Sequence, residues 1–110
     1  AEKASWGAGL PKGEGRGVAV HESFGSYVAM VADVRVDGDK LAVTRIVAAI
    51  DCGVAVNPDV IRAQVEGAVG FALSSVTRNR ITLDKGVVQE TNFDTFEPTR
   101  MSEMPRVEVH

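Results

Sequence analysis

Cysteine is nearly absent from this sequence, and its scarcity removes one means of stabilising a small domain. The single cysteine, Cys52, excludes an internal disulfide and leaves the redox compartment undetermined. No apolar run approaches the roughly 18–20 residues of a membrane span, and the first residues do not form a signal-peptide pattern. The net charge of −3 and the lack of a basic run exclude a general attraction for nucleic acid.

The composition that remains is that of an ordinary globular domain. At 110 residues, with 45% apolar and 25% charged residues, the chain is long enough for one small domain and too short for two. It starts at Ala1 rather than at methionine, and Pro105–His110 resembles a strand that stops in mid-pattern. We therefore expect residues 1–110 to be a single domain and a fragment of a longer polypeptide.

Alternating apolar and polar residues predict an antiparallel sheet built from hairpins. Residues 18–22, 27–36 and 41–50 are typical of three strands, and an Asp-Gly turn at residues 37–39 joins the last two. A second hairpin is expected over residues 81–90, with its turn at residues 84–86. Residues 91–105 show no clean period, and we expect an irregular segment there.

The first seventeen residues are expected to lie outside this core. Residues 1–6 are typical of the last turns of a helix, and residues 7–17 carry five glycines and a proline, which is a linker composition. Residues 18–110 then form an α+β core, an antiparallel sheet of hairpins with one main apolar helix packed on it.

The start of that helix is strongly marked. Asn57 is a good capping residue, Pro58 suits the first helical position, and Asp59 faces the positive end of the helix dipole. The residues that follow, up to about position 76, leave only a narrow polar strip, so we expect the helix to be covered on most sides. Arg62 and Glu66 stand at an i,i+4 ion-pair spacing on that strip.

Gln64 is the unusual residue of the helix, since it shares a face with valine, alanine and phenylalanine. A buried amide without partners costs about 1–3 kcal/mol, so Gln64 must meet backbone, water or a polar ligand. A pterin and the end of a neighbouring strand would both satisfy it. Gly67 and Gly70 remove side chains from the middle of the helix and allow backbone or ligand to approach closely.

Other reactive residues have ordinary structural explanations beside functional ones. His21, Glu22 and Ser23 are consecutive on a strand, so their side chains alternate between faces and cannot form a relay. The two histidines of the chain have no ligands at metal-site spacing, so we predict no metal site. Cys52, just before a helix, is either a small buried side chain or an activated thiol. Asp51 either binds a ligand or holds the turn.

Three short motifs, taken together, carry a resemblance. Asp-Cys-Gly at residues 51–53, Val-Asn-Pro at 56–58 and Gln-Val-Glu-Gly at 64–67 resemble the molybdenum-cofactor-binding subunit of the xanthine dehydrogenase/aldehyde oxidase family. Residues 15–29 and 100–110 are similar to its isoquinoline 1-oxidoreductase β-subunit branch, whose bacterial members are often named aldehyde dehydrogenases. The resemblance covers nearly the whole chain.

The resemblance implies an oxidoreductase subunit that hydroxylates an aldehyde or an N-heterocycle such as isoquinoline, with water as the oxygen source. Its cofactor would be molybdopterin in the cytosine dinucleotide form, and a separate subunit with two [2Fe–2S] clusters would accept the electrons. Gln64 is similar to the glutamine that hydrogen-bonds the pterin in relatives. Asp51, Cys52, Gly53 and Gly67 are the other expected cofactor-binding residues.

The chain lacks the catalytic part of that family. The family's base is a glutamate in a Gly-Val-Gly-Glu-type motif, and Glu66, Glu97 and Glu103 do not stand in one. We therefore expect no catalytic residue here and no firmly bound cofactor without the remainder of the parent subunit. Residues 77–80 are more basic than the branch's pattern, which puts any partner contact of that segment in doubt.

Two alternatives stay open on the sequence. One is a hot-dog thioesterase, which also wraps a long apolar helix in an antiparallel sheet and would use Asp59 as its carboxylate. The other is a non-catalytic structural or interface module in which Gln64 ties strands together. The compartment, bacterial cytoplasm or periplasm, is not determined.

Overall fold

The computed structural model describes residues 1–92 and 94–110 and confirms the α+β class. Its elements in chain order are β1 (Glu14–Ser23), β2 (Ser26–Asp37), β3 (Lys40–Asp51), α1 (Pro58–Thr77), β4 (Leu83–Asp84), β5 (Val87–Val88), a 3₁₀ turn (Met101–Glu103) and β6 (Arg106–Val109). The main sheet has the order β1-β2-β3-β6, and β4 pairs with β5 in a small separate hairpin. β1, β2 and β3 are antiparallel neighbours, whereas β6 runs parallel to β3.

The chain divides into two compact units. The first consists of Ala1–Arg62 and Pro105–His110, and it contains the four-stranded sheet and the first turn of α1. The second, Ala63–Met104, contains the rest of α1, the small hairpin and the 3₁₀ turn. The second unit is therefore an insertion, in sequence, between β3 and β6.

The centre of the sheet lies on β3. Ile46, Val47 and Ala48 are buried, and Ala48 has no exposed surface at all. β2 and β3 pair along their length with one irregularity, where the register shifts between Asp33 and Val34. The two predicted long strands and the turn at residues 37–39 are confirmed, and the short strand predicted at residues 18–22 lies within the longer β1.

The predicted linker is wrong at its end, because β1 begins at Glu14 rather than at residue 18. Gly15 lies opposite Val34 of β2, and Gly17 lies opposite Ala32. A Cβ on Gly15 would come within 3.3 Å of a Val34 methyl group, a tight contact, so close packing favours glycine there. Glycine in this segment marks close approach within a strand and not only loop conformation.

Residues 2–7 form turns and not the predicted end of a helix. Ser5 has φ 51 and Gly7 has φ 93, and this left-handed conformation cannot continue a right-handed helix. Two arginines of the sheet bind the segment instead. Arg16 Nη1 donates to the Ser5 carbonyl at 2.7 Å, and Arg45 Nη2 donates to the Lys3 carbonyl at 3.0 Å.

Those arginines belong to a ladder of alternating charges that crosses all four strands. Arg16 on β1 donates through Nε to Asp33 Oδ1 on β2 at 2.5 Å. Asp33 also lies 3.7 Å from Arg45 on β3, and Arg45 donates to Glu108 on β6 at 2.8 Å. The hydrogen bond from Arg16 lowers the pKa of Asp33, and the one from Arg45 lowers the pKa of Glu108.

The β1–β2 hairpin contains an unfavourable turn residue. Phe24 and Gly25, at its two central positions, have φ 51 and 77, as a type I′ turn requires. The Phe24 side chain is fully exposed (104%), so no contact offsets its left-handed backbone.

Replacing Phe24 with asparagine is therefore expected to raise the free energy of unfolding by about 1 kcal/mol, since asparagine tolerates this conformation better. Thermal unfolding followed by circular dichroism measures the change. Phe24→Leu keeps the unfavourable backbone and should leave the midpoint unchanged. An equal gain from both variants would contradict the explanation.

Candidate functional site

The end of β3 delivers the first three predicted site residues to one turn. Asp51 Oδ1 accepts the N–H of Gly53 at 3.1 Å, so this carboxylate holds the turn. Gly53 has φ 77, and a Cβ there would meet nothing within 4 Å. Its glycine is thus needed for backbone conformation and not for close packing. Cys52 between them is an exposed free thiol, which excludes the buried apolar interpretation.

The helix that follows is capped as predicted. Asn57 Oδ1 accepts the N–H groups of Asp59 at 3.1 Å and Val60 at 3.2 Å. The Asn57 carbonyl accepts the N–H of Ile61 at 3.2 Å, and Pro58 has no N–H to offer. The first turn of α1 therefore keeps no unpaired backbone donor, so a ligand here must be recognised by side chains.

A cavity of about 230 Å³ lies beside this turn, within the first unit. Asp51, Cys52 and Gly53 line it together with five apolar residues and two basic ones, Arg62 and His110. The wall thus combines apolar surface with a guanidinium, an imidazole and a thiol. This donor set suits a polar heterocycle or an oxyanion.

Arg62 contacts Asp59 and not Glu66, the residue at the i,i+4 spacing noted in the sequence. Its Nη1 lies 3.4 Å from Asp59 Oδ1, one turn earlier on the helix. Both side chains are more than half exposed, so the pair contributes little stability. The guanidinium has five N–H donors, and this contact leaves most of them available to a ligand.

His110 reaches the cavity through the pairing of β6 with β3. Its backbone N–H donates to the Ala48 carbonyl at 2.8 Å, and its carbonyl accepts the N–H of Ile50 at 2.9 Å. Sequence reasoning missed His110 as a site residue because it depends on a parallel pairing between distant strands. The only sequence signal was the strand pattern that precedes it.

Gln64 and Gly67 belong to the second unit, where both are exposed on α1. The buried positions of the helix in this unit are Val65, Val69 and Ser74. The expectation that the helix is covered on most sides is therefore wrong for this chain. The face that carries Gln64 also carries Phe71, which is 77% exposed. Gln64 thus stands on an open, largely apolar surface and has no burial cost to satisfy.

Gly70, unlike Gly67, is a point of close approach as predicted. A Cβ at Gly70 would lie 3.3 Å from the Met104 sulfur, whereas one at Gly67 would meet nothing within 4 Å. Close packing therefore explains the glycine at position 70. At position 67 the space beside the backbone is empty.

The basic segment at residues 77–80 forms ion pairs with acidic residues of the second unit through Arg78. Arg78 donates to Glu97 at 3.1 Å and also to Glu103. Nearby, the Thr82 backbone N–H and hydroxyl donate to Glu90 and lower the pKa of its carboxyl group. Of the irregular segment predicted at residues 91–105, Phe93 lies outside the described residues. The other residues contain only the short 3₁₀ turn.

Within residues 1–92 and 94–110, no group of three His, Cys, Asp or Glu side chains is placed to hold a metal ion. In the same residues, no helix combines the length and apolar character needed to cross a membrane.

The model of a family described as the molybdopterin cofactor-binding domain matches residues 1–105. The chain therefore belongs to the molybdopterin cofactor-binding domain family. This membership confirms the resemblance found in the sequence and decides against the thioesterase alternative.

The chain is also similar to individual oxidoreductases of known name. It is 32% identical over 99% of its length to the isoquinoline 1-oxidoreductase subunit beta of Brevundimonas diminuta. It is 30% identical over 98% of its length to a membrane-bound aldehyde dehydrogenase of Gluconacetobacter polyoxogenes, whose name specifies pyrroloquinoline quinone. The chain spans 15% of the length of each of these curated relatives.

A solved structure gives the same result for the fold. The Cu,Mo-containing CO dehydrogenase matches 76% of this chain with a TM-score of 0.71 and 28% identity, over 11% of its own chain. The relatives are thus much longer oxidoreductase proteins, and this chain corresponds to one segment of them.

Proposed function

We propose that this chain is the part of a larger molybdenum hydroxylase subunit that contacts the cytosine dinucleotide form of molybdopterin. The cavity beside the 51–53 turn is the observation that carries the proposal. Its volume of about 230 Å³ is below the roughly 300–1,000 Å³ of a pocket that encloses a whole drug-sized ligand. It would therefore take one portion of the cofactor, a phosphate group or a single ring.

The residues present fit such a portion. Arg62 and His110 offer donors to an oxyanion, and the five apolar residues accept the face of a ring. Cys52 is exposed in the same wall, and Asp51 with Gly53 fixes the backbone that presents it. In the second unit, the exposed amide of Gln64 would hydrogen-bond the pterin, and Gly67 would leave room for it.

The cofactor, when bound, supplies the redox chemistry, and this chain supplies binding and orientation. The parent enzyme would hydroxylate an N-heterocycle, as the isoquinoline relative suggests, or an aldehyde. Its partners would be the remainder of the parent subunit and an electron-transfer subunit with two [2Fe–2S] clusters. The catalytic base would come from outside these 110 residues.

The test is the Gln64→Ala variant of the full-length parent. Loss of a hydrogen bond to the pterin is expected to weaken cofactor retention about tenfold. Molybdenum content by mass spectrometry and cytidine monophosphate released on acid hydrolysis both report retention without relying on turnover. Gln89→Ala is the matched control, because the side-chain amide of Gln89 donates locally, to the Val87 carbonyl two residues away.

Two results would contradict parts of the proposal, one the role of Gln64 and the other the identity of the cofactor. Equal molybdenum and nucleotide content in Gln64→Ala and wild type would remove Gln64 from the cofactor contacts. A wild-type parent that carries pyrroloquinoline quinone and no molybdenum would contradict the assignment of molybdopterin as the cofactor.

A further inference from the structure

β1 forms one edge of the main sheet, and half of its backbone groups point away from β2. The Gly13 carbonyl accepts the N–H of Val36 at 2.8 Å, and the register continues without a shift to Ser23 opposite Ser26. In an antiparallel pair, every second residue exchanges its backbone hydrogen bonds with the neighbour. The odd-numbered residues of β1 therefore bond to β2, and the even-numbered ones face outwards.

Four even-numbered residues keep this outer edge open. The N–H of Glu14 is already donated to the Pro11 carbonyl. The outward N–H and C=O groups of Arg16, Val18, Val20 and Glu22 have no backbone partner within the described residues. Residues 17–23 are all exposed.

The middle of this edge lacks the usual features that prevent strands from pairing. Proteins protect open edges with proline, lysine, bulges or very short strands. β1 is 10 residues long and contains neither proline nor lysine, and its pairing with β2 has no bulge. Its middle, residues 17–20, is uncharged, and Val18 and Val20 are 56% and 72% exposed.

The sequence of β1 is complementary to itself in one antiparallel register. With a two-fold axis at Ala19, Val18 of one copy lies opposite Val20 of the other. Arg16 then lies opposite Glu22, and the symmetry repeats both pairs. A register centred one residue earlier, on Val18, would place Glu14 opposite Glu22, two like charges.

The existing contacts of Arg16 are compatible with this register. Its guanidinium stays bonded to Asp33 and Ser5, so Glu22 of the second copy would lie one strand spacing, about 5 Å, from the Arg16 backbone and would not hydrogen-bond the guanidinium. Glu22 has only a weak contact to lose, a 3.4 Å bond from the Gly25 N–H. The attraction is therefore electrostatic, and salt should weaken it.

We propose that the outer edge of β1 binds a second copy of this chain. The two β1 strands then pair antiparallel, and the two four-stranded sheets become one eight-stranded sheet. The four outward residues of each copy exchange backbone hydrogen bonds, and the valine pairs cover each other. The interface is small, so the association is concentration-dependent.

Sedimentation velocity of the 110-residue chain from micromolar to near-millimolar concentrations tests the proposal. Wild type is expected to shift from monomer to dimer, and Glu22→Lys to raise the dissociation constant about tenfold by facing Arg16 with a like charge. Glu2→Lys changes the net charge equally from an exposed turn and should dimerise as wild type does. Equal weakening by both variants would overturn the register.

A second variant tests the backbone hydrogen bonds directly. Val20→Pro removes an outward N–H that β2 does not use, so the fold should persist, as a circular dichroism melt would verify. This variant is expected to remain monomeric throughout the concentration range. A wild type that stays monomeric, or a folded Val20→Pro chain that still dimerises, would overturn the proposal.

Discussion

Replacing Ala48 with aspartate is expected to remove a large part of the stability of the four-stranded sheet at neutral pH. Ala48 lies in the middle of β3 and has no exposed surface. An aspartate there would be a buried carboxylate without a cation or hydrogen-bond donor to compensate it, which would lower the free energy of unfolding by about 4 kcal/mol or more. Since small domains are stable by only about 5–15 kcal/mol, most of the margin would be lost. Urea unfolding followed by circular dichroism measures the loss.

The neighbouring residue provides the control for this variant. Ala49 is exposed, and its side chain points to the opposite face of β3. Ala49→Asp introduces the same charge one residue away and should lower the free energy of unfolding by less than about 1 kcal/mol. Equal loss from both variants would mean that the burial of Ala48 is not the cause of its effect.

Replacing Asp33 with asparagine is expected to lower the free energy of unfolding by about 2 kcal/mol at pH 7. Asp33 is the acid between the guanidiniums of Arg16 and Arg45, and its side chain is only 15% exposed. Asparagine keeps the shape but removes the charge, so two cations would face each other without an anion between them. The variant and wild type should be compared by urea unfolding.

The effect of Asp33→Asn should also depend on pH in one direction. The pKa of Asp33 is lowered in the folded chain, chiefly by the hydrogen bond from Arg16. A lowered pKa stabilises the fold above the unfolded value, about 4, and that stability is lost as pH falls through the folded value. The difference between wild type and variant should therefore be full at pH 7 and shrink below about pH 4.

The control for this prediction is Asp37→Asn, at the exposed end of β2. It should change stability by less than about 0.5 kcal/mol at either pH. A loss for Asp33→Asn that stayed the same from pH 7 to pH 3 would show that the charge of Asp33 is not its source.

Local signals explain which parts of this fold were predictable. The cap at Asn57 and the turn at Asp37 depend on residues within four positions of each other, and both appear where the sequence placed them. The glycines of early β1 were misread, because glycine composition alone does not distinguish a loop from a strand that packs closely on Val34.

The candidate site was only partly predictable for the same reason. The 51–53 turn is encoded locally, whereas His110 enters the cavity through a pairing between β3 and β6. The apolar pattern around Gln64 identified a face of the helix correctly but not whether anything covers it. Periodicity describes which side chains share a face, and coverage depends on distant parts of a polypeptide.

The parallel pairing of β6 with β3 has a kinetic consequence. The Arg45–Glu108 pair joins residues 63 positions apart, with the whole second unit between them. Closing a loop of that length costs about 4 kcal/mol of chain entropy before any contact compensates for it. The β1–β2–β3 meander needs only short turns, so it should form first, and β6 should dock last. Hydrogen exchange during refolding would then show late protection of residues 106–109.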